Sequence, residues 1–184
     1  MARIPVIRKK EDLPAESQAA YEAIVGTRGE IQGPFTLLLH SPQIAERAAH
    51  LGAYLRFESP IDPKAATLAI LTVGRELDCE HIWSVHSGHA RKFGVTEEAI
   101  RAIRAGDASS GLTPEEAQIV GYVEALLRSH RVTEGTFRAM LQRFGVKGLV
   151  ELTATIGYFC MLACTLNAFE LKPPPDSDQL GSGG

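Results

Sequence analysis

Apolar positions recur at helical spacing along most of this chain, and no stretch of useful length alternates apolar and polar residues as a half-buried strand would. Pro14 opens a helix to about Ile24, with Ala19, Ala20, Ala23 and Ile24 on one side. Gly26 to Gly33 carries three glycines and reads as a loop, followed by a short apolar piece, Thr36 to His40. Ser41 as N-cap with Pro42 in the first position starts a helix to about Phe57. Asp62-Pro63 repeats that signal, and Ala65, Leu68, Ala69, Leu71, Thr72 and Leu77 give the next helix a broad apolar face. A helix from Cys79 or Glu80 to Phe93 follows, stopped by Gly94. Thr96 caps a short one whose first turn holds Glu97 and Glu98.

Gly106 to Gly111 is a polar loop. Thr113-Pro114 begins a helix to about Ser129, and Thr133 begins another to Phe144. The last, from about Val146 to Phe169, is apolar almost all round and must be buried on several sides, by its own subunit or a neighbour. The prediction is therefore an all-α fold of about eight helices. Residues 1–12 form an extended charged arm, 13–172 one domain, and 173–184 a tail expected to lack structure, beginning at Pro173-Pro174-Pro175.

Composition narrows the class. The 184 residues are long enough for a substantial core. With 45% hydrophobic and 22% charged residues the balance is that of a globular protein. A formal charge of -3 leaves no basic excess for phosphates, so no nucleic-acid partner is expected. Asn167 and Glu170 close the most apolar segment, so no membrane partner is expected either, and the N-terminus has no signal-peptide layout. Cys79, Cys160 and Cys164 fit neither a disulfide framework nor a zinc ribbon, which suits a reducing, cytoplasmic setting. Cys160 and Cys164, four residues apart in the most apolar helix, read as core.

Chemistry concentrates in Glu76 to His89, which holds Cys79, His81, His86, His89, the only tryptophan and three carboxylates. Seven residues return a helix to nearly the same azimuth, so Cys79 and His86 share a face two turns apart, with Trp83 between them as an apolar wall. A cysteine at a helix N-terminus lies where unpaired N–H groups favour a thiolate. Each residue also has a plain structural reading: Cys79 as a small buried hydrophobe, His86 as a satisfied structural imidazole, His81 as partly exposed. Glu76 is either a surface charge at a helix end or a group pointing into the pocket. His86 and His89 are spaced to share a metal, but no third ligand has suitable spacing, so no metal is expected; no organic cofactor is expected either, because a vinylogous carbonyl in the substrate can hold the charge that develops.

Arg75-Glu76-Leu77-Asp78-Cys79, Trp83, His86, Ala90, Gly94-Val95 and Glu97-Glu98-Ala99-Ile100 together resemble the signature of the carboxymuconolactone decarboxylase family, related to alkyl hydroperoxidase D. Gly33-Pro34-Phe35, Ser41-Pro42, Glu151-Leu152, Gly157-Tyr158-Phe159 and Leu166-Asn167-Ala168-Phe169 extend the resemblance. It implies an all-α fold built around a helical hairpin, assembled as homo-trimers or homo-hexamers. In the hydroperoxidase arm two thiols cycle with a histidine and an upstream glutamate. Cys79 and His86 fill the first-thiol and histidine positions, while Ile82 stands at the second thiol and Thr67 at the glutamate. In the decarboxylase arm Trp83 and His86 match, and His81 and Ile82 replace an aromatic residue and a glutamate.

The expected function is a small-molecule enzyme acting on a lactone or related carboxylated compound. His86 is its general acid, His81 or Glu76 holds the tautomer or relays the proton, Cys79 lies near the substrate, and Trp83, Phe35 and Ile82 line the site. The alternatives are a one-cysteine thiol peroxidase acting through Cys79 and a non-catalytic oligomeric binding module.

Overall fold

A computed structural model describes residues 2–107, 110–175 and 177–181, and every regular element among them is helical. The chain groups into two compact units, Met1–Ser59 with Cys164–Lys172, and Pro60–Ala163 with Pro173–Gly184.

The first unit begins with an arm tied down by backbone bonds: Arg3 N–H donates to the Phe169 carbonyl at 2.9 Å and Ile7 N–H to the Thr36 carbonyl at 2.8 Å. Two single 3-10 turns, Lys10–Asp12 and Ala15–Ser17, precede α1 (Gln18–Arg28). The helix thus starts and ends later than the sequence suggests. Pro14 is extended (ψ 148°), and the left-handed residue that ends the helix is Gly29 (φ 81°), whereas Gly26 continues it. After α2 (Phe35–Leu38) comes α3 (Pro42–Phe57), which buries Ala45, Ala48, Ala49 and Gly52. That spacing makes a stripe of small residues along one helix face, and α1 packs on α3. Pro42 is the first residue of α3 as expected, but the Ser41 side chain makes no cap bond.

The second unit is organised on α4 (Pro63–Glu76), which packs against both α5 (Glu80–Lys92) and α7 (Pro114–Glu124), with α6 (Glu97–Ala105) beside α4 and α5. Its caps follow the sequence. The Asp62 carboxylate accepts the Ala65 N–H, Thr96 Oγ1 accepts the Ala99 N–H, and Thr113 and Glu116 form a reciprocal capping box. Gly94 (φ 78°) and Gly106 (φ 68°) take left-handed conformations where α5 and α6 stop. In the loop after α6, residues 108 and 109 lie outside the described set. Beyond α7 the chain makes a π-helical turn, Ala125–Ser129, ended by left-handed His130.

The last helical span, α8 (Glu134–Ala168), is broken at Gly145, whose φ of 65° and ψ of 175° interrupt the helix without adding a loop. This is the division at Phe144 and Val146 that the pattern predicts. Leu149, Leu152, Ile156 and Leu162 are buried, but Val146 and Val150 are exposed, and so is Cys164, so the second half of α8 is less enclosed than its composition suggests. Contrary to the reading of Asn167 and Glu170 as closing it too early, α8 contains an 18-residue stretch long and apolar enough to cross a membrane, with mean hydropathy 1.7; half of that stretch is buried inside the structure.

The tail also departs from expectation. Leu180 is only 7% exposed and joins the apolar core of the second unit. Asp178 pairs with Arg91 on α5, because the segment carries one apolar side chain and one charge that find partners there. Residues 176 and 182–184 of the expected tail lie outside the described set.

Candidate active site

The helical hairpin of α4 and α5 carries most of the predicted site. Its turn is tight: Leu77 caps α4, Asp78 takes a left-handed φ of 46°, and the Cys79 N–H returns to the Gly74 carbonyl at 2.8 Å. The Cys79 carbonyl then accepts the Trp83 N–H at 3.0 Å, which makes Cys79 the N-cap of α5. Charges favour this helix, with Glu80 in its first turn and His89, Arg91 and Lys92 in its last. The two helices cross closely at Gly74, where an added Cβ would lie 3.1 Å from Ile82 Cγ2 and 3.4 Å from the Trp83 nitrogen.

The predicted residues fall into separate groups. Cys79 is fully buried at the start of α5. Trp83 is also 0% exposed and belongs to the core rather than to an open wall; the Arg104 guanidinium lies over its ring, Cζ to centroid 5.3 Å. Ile82 is buried against Gly74. Thr67, at the position of the hydroperoxidase glutamate, is buried and donates its hydroxyl to the Pro63 carbonyl at 2.7 Å.

His86 is half-buried and meets two rings edge-on, His89 at 5.1 Å between centroids and Phe159 at 5.1 Å, with Tyr158 continuing the set at 5.5 Å from Phe159. His81 is half-buried, and its carbonyl accepts the Ser84 hydroxyl at 3.0 Å. Phe35 lies in the first unit, buried beneath the Arg28 guanidinium at 4.2 Å.

Glu76 is engaged elsewhere. Both its oxygens accept from Arg128, at 2.6 Å each, and the same guanidinium reaches Glu124 at 3.1 Å. The hydrogen bond to Glu76 raises the Arg128 pKa. Burial raises that of Glu124, with the Glu76 charge adding to it and Arg128 opposing it. The π-helical turn carries Arg128 to this position. A carboxylate held at both oxygens is an anchor for the end of α4 rather than a mobile proton relay.

Among the described residues no group of three or more His, Cys, Asp or Glu side chains is arranged to hold a metal. A surface hollow of about 360 Å³ lies at the end of α6, lined by Glu98, Arg101, Asp107 and Ser110 among others, and includes no predicted site residue. Sequence reasoning did not assign Phe159, Tyr158, Arg104 or Arg128 to the site. The signal for the first two was the aromatic pair in Gly157-Tyr158-Phe159, which read as core.

Residues 42–125 match the model of the carboxymuconolactone decarboxylase family. No curated protein matches the chain in sequence. An Agrobacterium tumefaciens protein of unknown function, named as a candidate AhpD antioxidant defence protein, superposes with a TM-score of 0.69 at 18% identity, over 79% of this chain and 100% of that one. The debrominase Bmp8, as a cysteine-to-alanine variant in complex with 2,3,4-tribromopyrrole, gives 0.73 at 12% identity, over 94% and 92%. At these identities the two structures establish a shared AhpD-like helical fold. The stretch that matches the carboxymuconolactone decarboxylase family model thus holds Cys79, Trp83 and His86.

Proposed function

We propose that this chain is a small-molecule enzyme of the carboxymuconolactone decarboxylase type, using His86 as general acid on a lactone or related carboxylated compound. The observation that carries the reading is the setting of His86: a half-buried imidazole edge-on to Phe159, with a second imidazole, His89, beside it. An apolar ring edge limits hydration, and an imidazole exchanges protons near neutral pH.

In the reaction the carbon–carbon bond to the carboxylate breaks and carbon dioxide leaves. The electron pair moves into the conjugated carbonyl, and the His86 imidazolium delivers its proton to the electron-rich carbon. His89 is placed to return a proton from solvent. Glu76 has no part in this scheme because Arg128 occupies both of its oxygens.

A second reading rests on Cys79 at the N-cap of α5, the end of a helix whose dipole favours a thiolate, although the Cys79 side chain makes no cap hydrogen bond. There the thiolate attacks a hydroperoxide, giving a sulfenic acid and an alcohol, and an added thiol reduces the sulfenic acid through a mixed disulfide. Ile82 supplies no resolving thiol. That a debrominase of this fold binds its bromopyrrole as a cysteine variant is consistent with thiol chemistry at such a site.

The readings separate on two variants. His86→Gln is expected to lower carbon dioxide release from a panel of conjugated lactone acids by about 100-fold or more, with Cys79→Ser nearly unchanged. Full carbon dioxide release by His86→Gln overturns the first reading. Loss of thiol-dependent hydroperoxide consumption in Cys79→Ser alone supports the second.

A further inference from the structure

We propose that Arg104 and Trp83 form a carboxylate-binding subsite where α6 meets α5. The Arg104 guanidinium lies over the Trp83 ring, Cζ to centroid 5.3 Å, and this contact leaves two polar atoms unaccounted for. Trp83 is 0% exposed, yet its indole Nε1 has no hydrogen-bond partner among the described residues, and neither has the buried Nε of Arg104. Indole and guanidinium nitrogens are donors only, so neither group can satisfy the other. A buried N–H without an acceptor is costly, and what completes this contact is therefore an acceptor.

Charge narrows its chemistry. Arg75, Arg91, Arg101 and Arg128, the other arginines of α4, α5, α6 and the π-helical turn, are each paired with one or two carboxylates. Arg104 is half-buried and has no such partner among the described residues. Water would satisfy a donor but not the charge, whereas a half-buried cation without a counter-ion selects an anion. A carboxylate suits the pair because it has two oxygens, one to take the indole N–H in the plane of the ring and one to take an Arg104 N–H from above it.

The backbone at this point is fixed, since Arg75 Nε–H donates to the Arg104 carbonyl at 2.7 Å. The Arg104 side chain can thus turn off the ring and return while α6 stays in place. Trp83 precedes His86 by one turn of α5. With His86 as the general acid, the carboxylate held here belongs to the ligand of that same site; this assignment rests on that reading, and the binding itself does not.

Trp83 is the only tryptophan, so the protein gives a single indole N–H signal in proton–nitrogen NMR. Benzoate added to the full chain is expected to move that signal downfield and saturably, while benzamide, similar in shape without the charge, leaves it in place. Arg104→Gln should weaken benzoate binding about tenfold or more, and Arg104→Lys, which keeps the charge but not the planar fork, by less. His86→Gln should bind benzoate as the parent does, so failure of the general-acid reading shows in turnover and failure of the subsite shows in binding. An indole signal that benzoate leaves in place, or that chloride or benzamide moves as far, overturns the proposal. So does an Arg104→Gln chain, helical by circular dichroism, that binds benzoate as tightly as the parent.

Discussion

Arg128→Ala tests whether Glu76 is an anchor. The Glu76 side chain is only 9% exposed and Glu124 17%, and both lean on a guanidinium that is itself 51% exposed. Removing one partner of a fully buried pair costs about 3–5 kcal/mol because the other charge is stranded. A fully exposed pair contributes about 0–1 kcal/mol. Here the carboxylate is buried and the cation half in water, and the loss also leaves Glu76 facing Glu124 without the charge between them, so a cost of about 2 kcal/mol is expected.

For a chain of 184 residues, each kcal/mol corresponds to roughly 2–4 °C in Tm, a fall of about 4–8 °C. Thermal melts followed by circular dichroism give the Tm. A double-mutant cycle with Glu76→Gln, read from urea midpoints, isolates the pair. The double variant should be more stable than the sum of the single losses predicts, because the neutral amide no longer strands a charge. A Tm within about 1 °C of the parent, with a coupling energy under about 0.5 kcal/mol, would refute the reasoning and return Glu76 to the list of groups free to move protons.

Gly145→Ala should destabilise the chain by about 1–3 kcal/mol, since φ 65° with ψ 175° is a conformation essentially reserved for glycine; a urea midpoint unchanged from the parent would show that the break relaxes into a continuous helix. Glu116 gives a pH signature. Its burial, the largest influence, pushes its pKa up, but the Lys64 ammonium at 2.8 Å and the Thr113 N–H outweigh burial and hold it below the ordinary range. A carboxyl depressed in the folded state stabilises the fold above its unfolded pKa of about 4.3 and loses that contribution as pH falls through the lower folded value. The stability gap between the parent and Glu116→Gln should therefore be widest near neutral pH and close below about pH 4 in urea melts; a constant gap would contradict the assignment.

Much of the scaffold was legible because its signals are local. Asp62, Thr96 and Thr113 cap helices through atoms three residues away, and Gly94 and Gly106 stop them by conformations that other residues adopt at a cost. The site was less legible because its partners are distant in sequence. Glu76 is fixed by Arg128, fifty-two residues on, through a π-helical turn that no periodicity announces. Helical spacing placed Trp83 on the face shared by Cys79 and His86, but azimuth does not say which part of a face meets the core, and Arg104 covers that ring. Ser41 shows the reverse limit: a residue suited to capping whose side chain makes no cap bond.

The break at Gly145 makes chain length part of the site. Phe159 lies 14 residues beyond it, about 21 Å along an uninterrupted helix. Its ring reaches His86 only because that count gives the right azimuth. Deleting or inserting one residue between them would turn every later side chain by about 100° and move the ring about 1.5 Å along the axis, even if each remaining residue were unchanged. Substitutions in this segment therefore act one position at a time, whereas an indel there would change the surroundings of the imidazole at a stroke. Natural variation that reaches this helix should accordingly preserve the interval from glycine to phenylalanine more strictly than the identity of the residues between them.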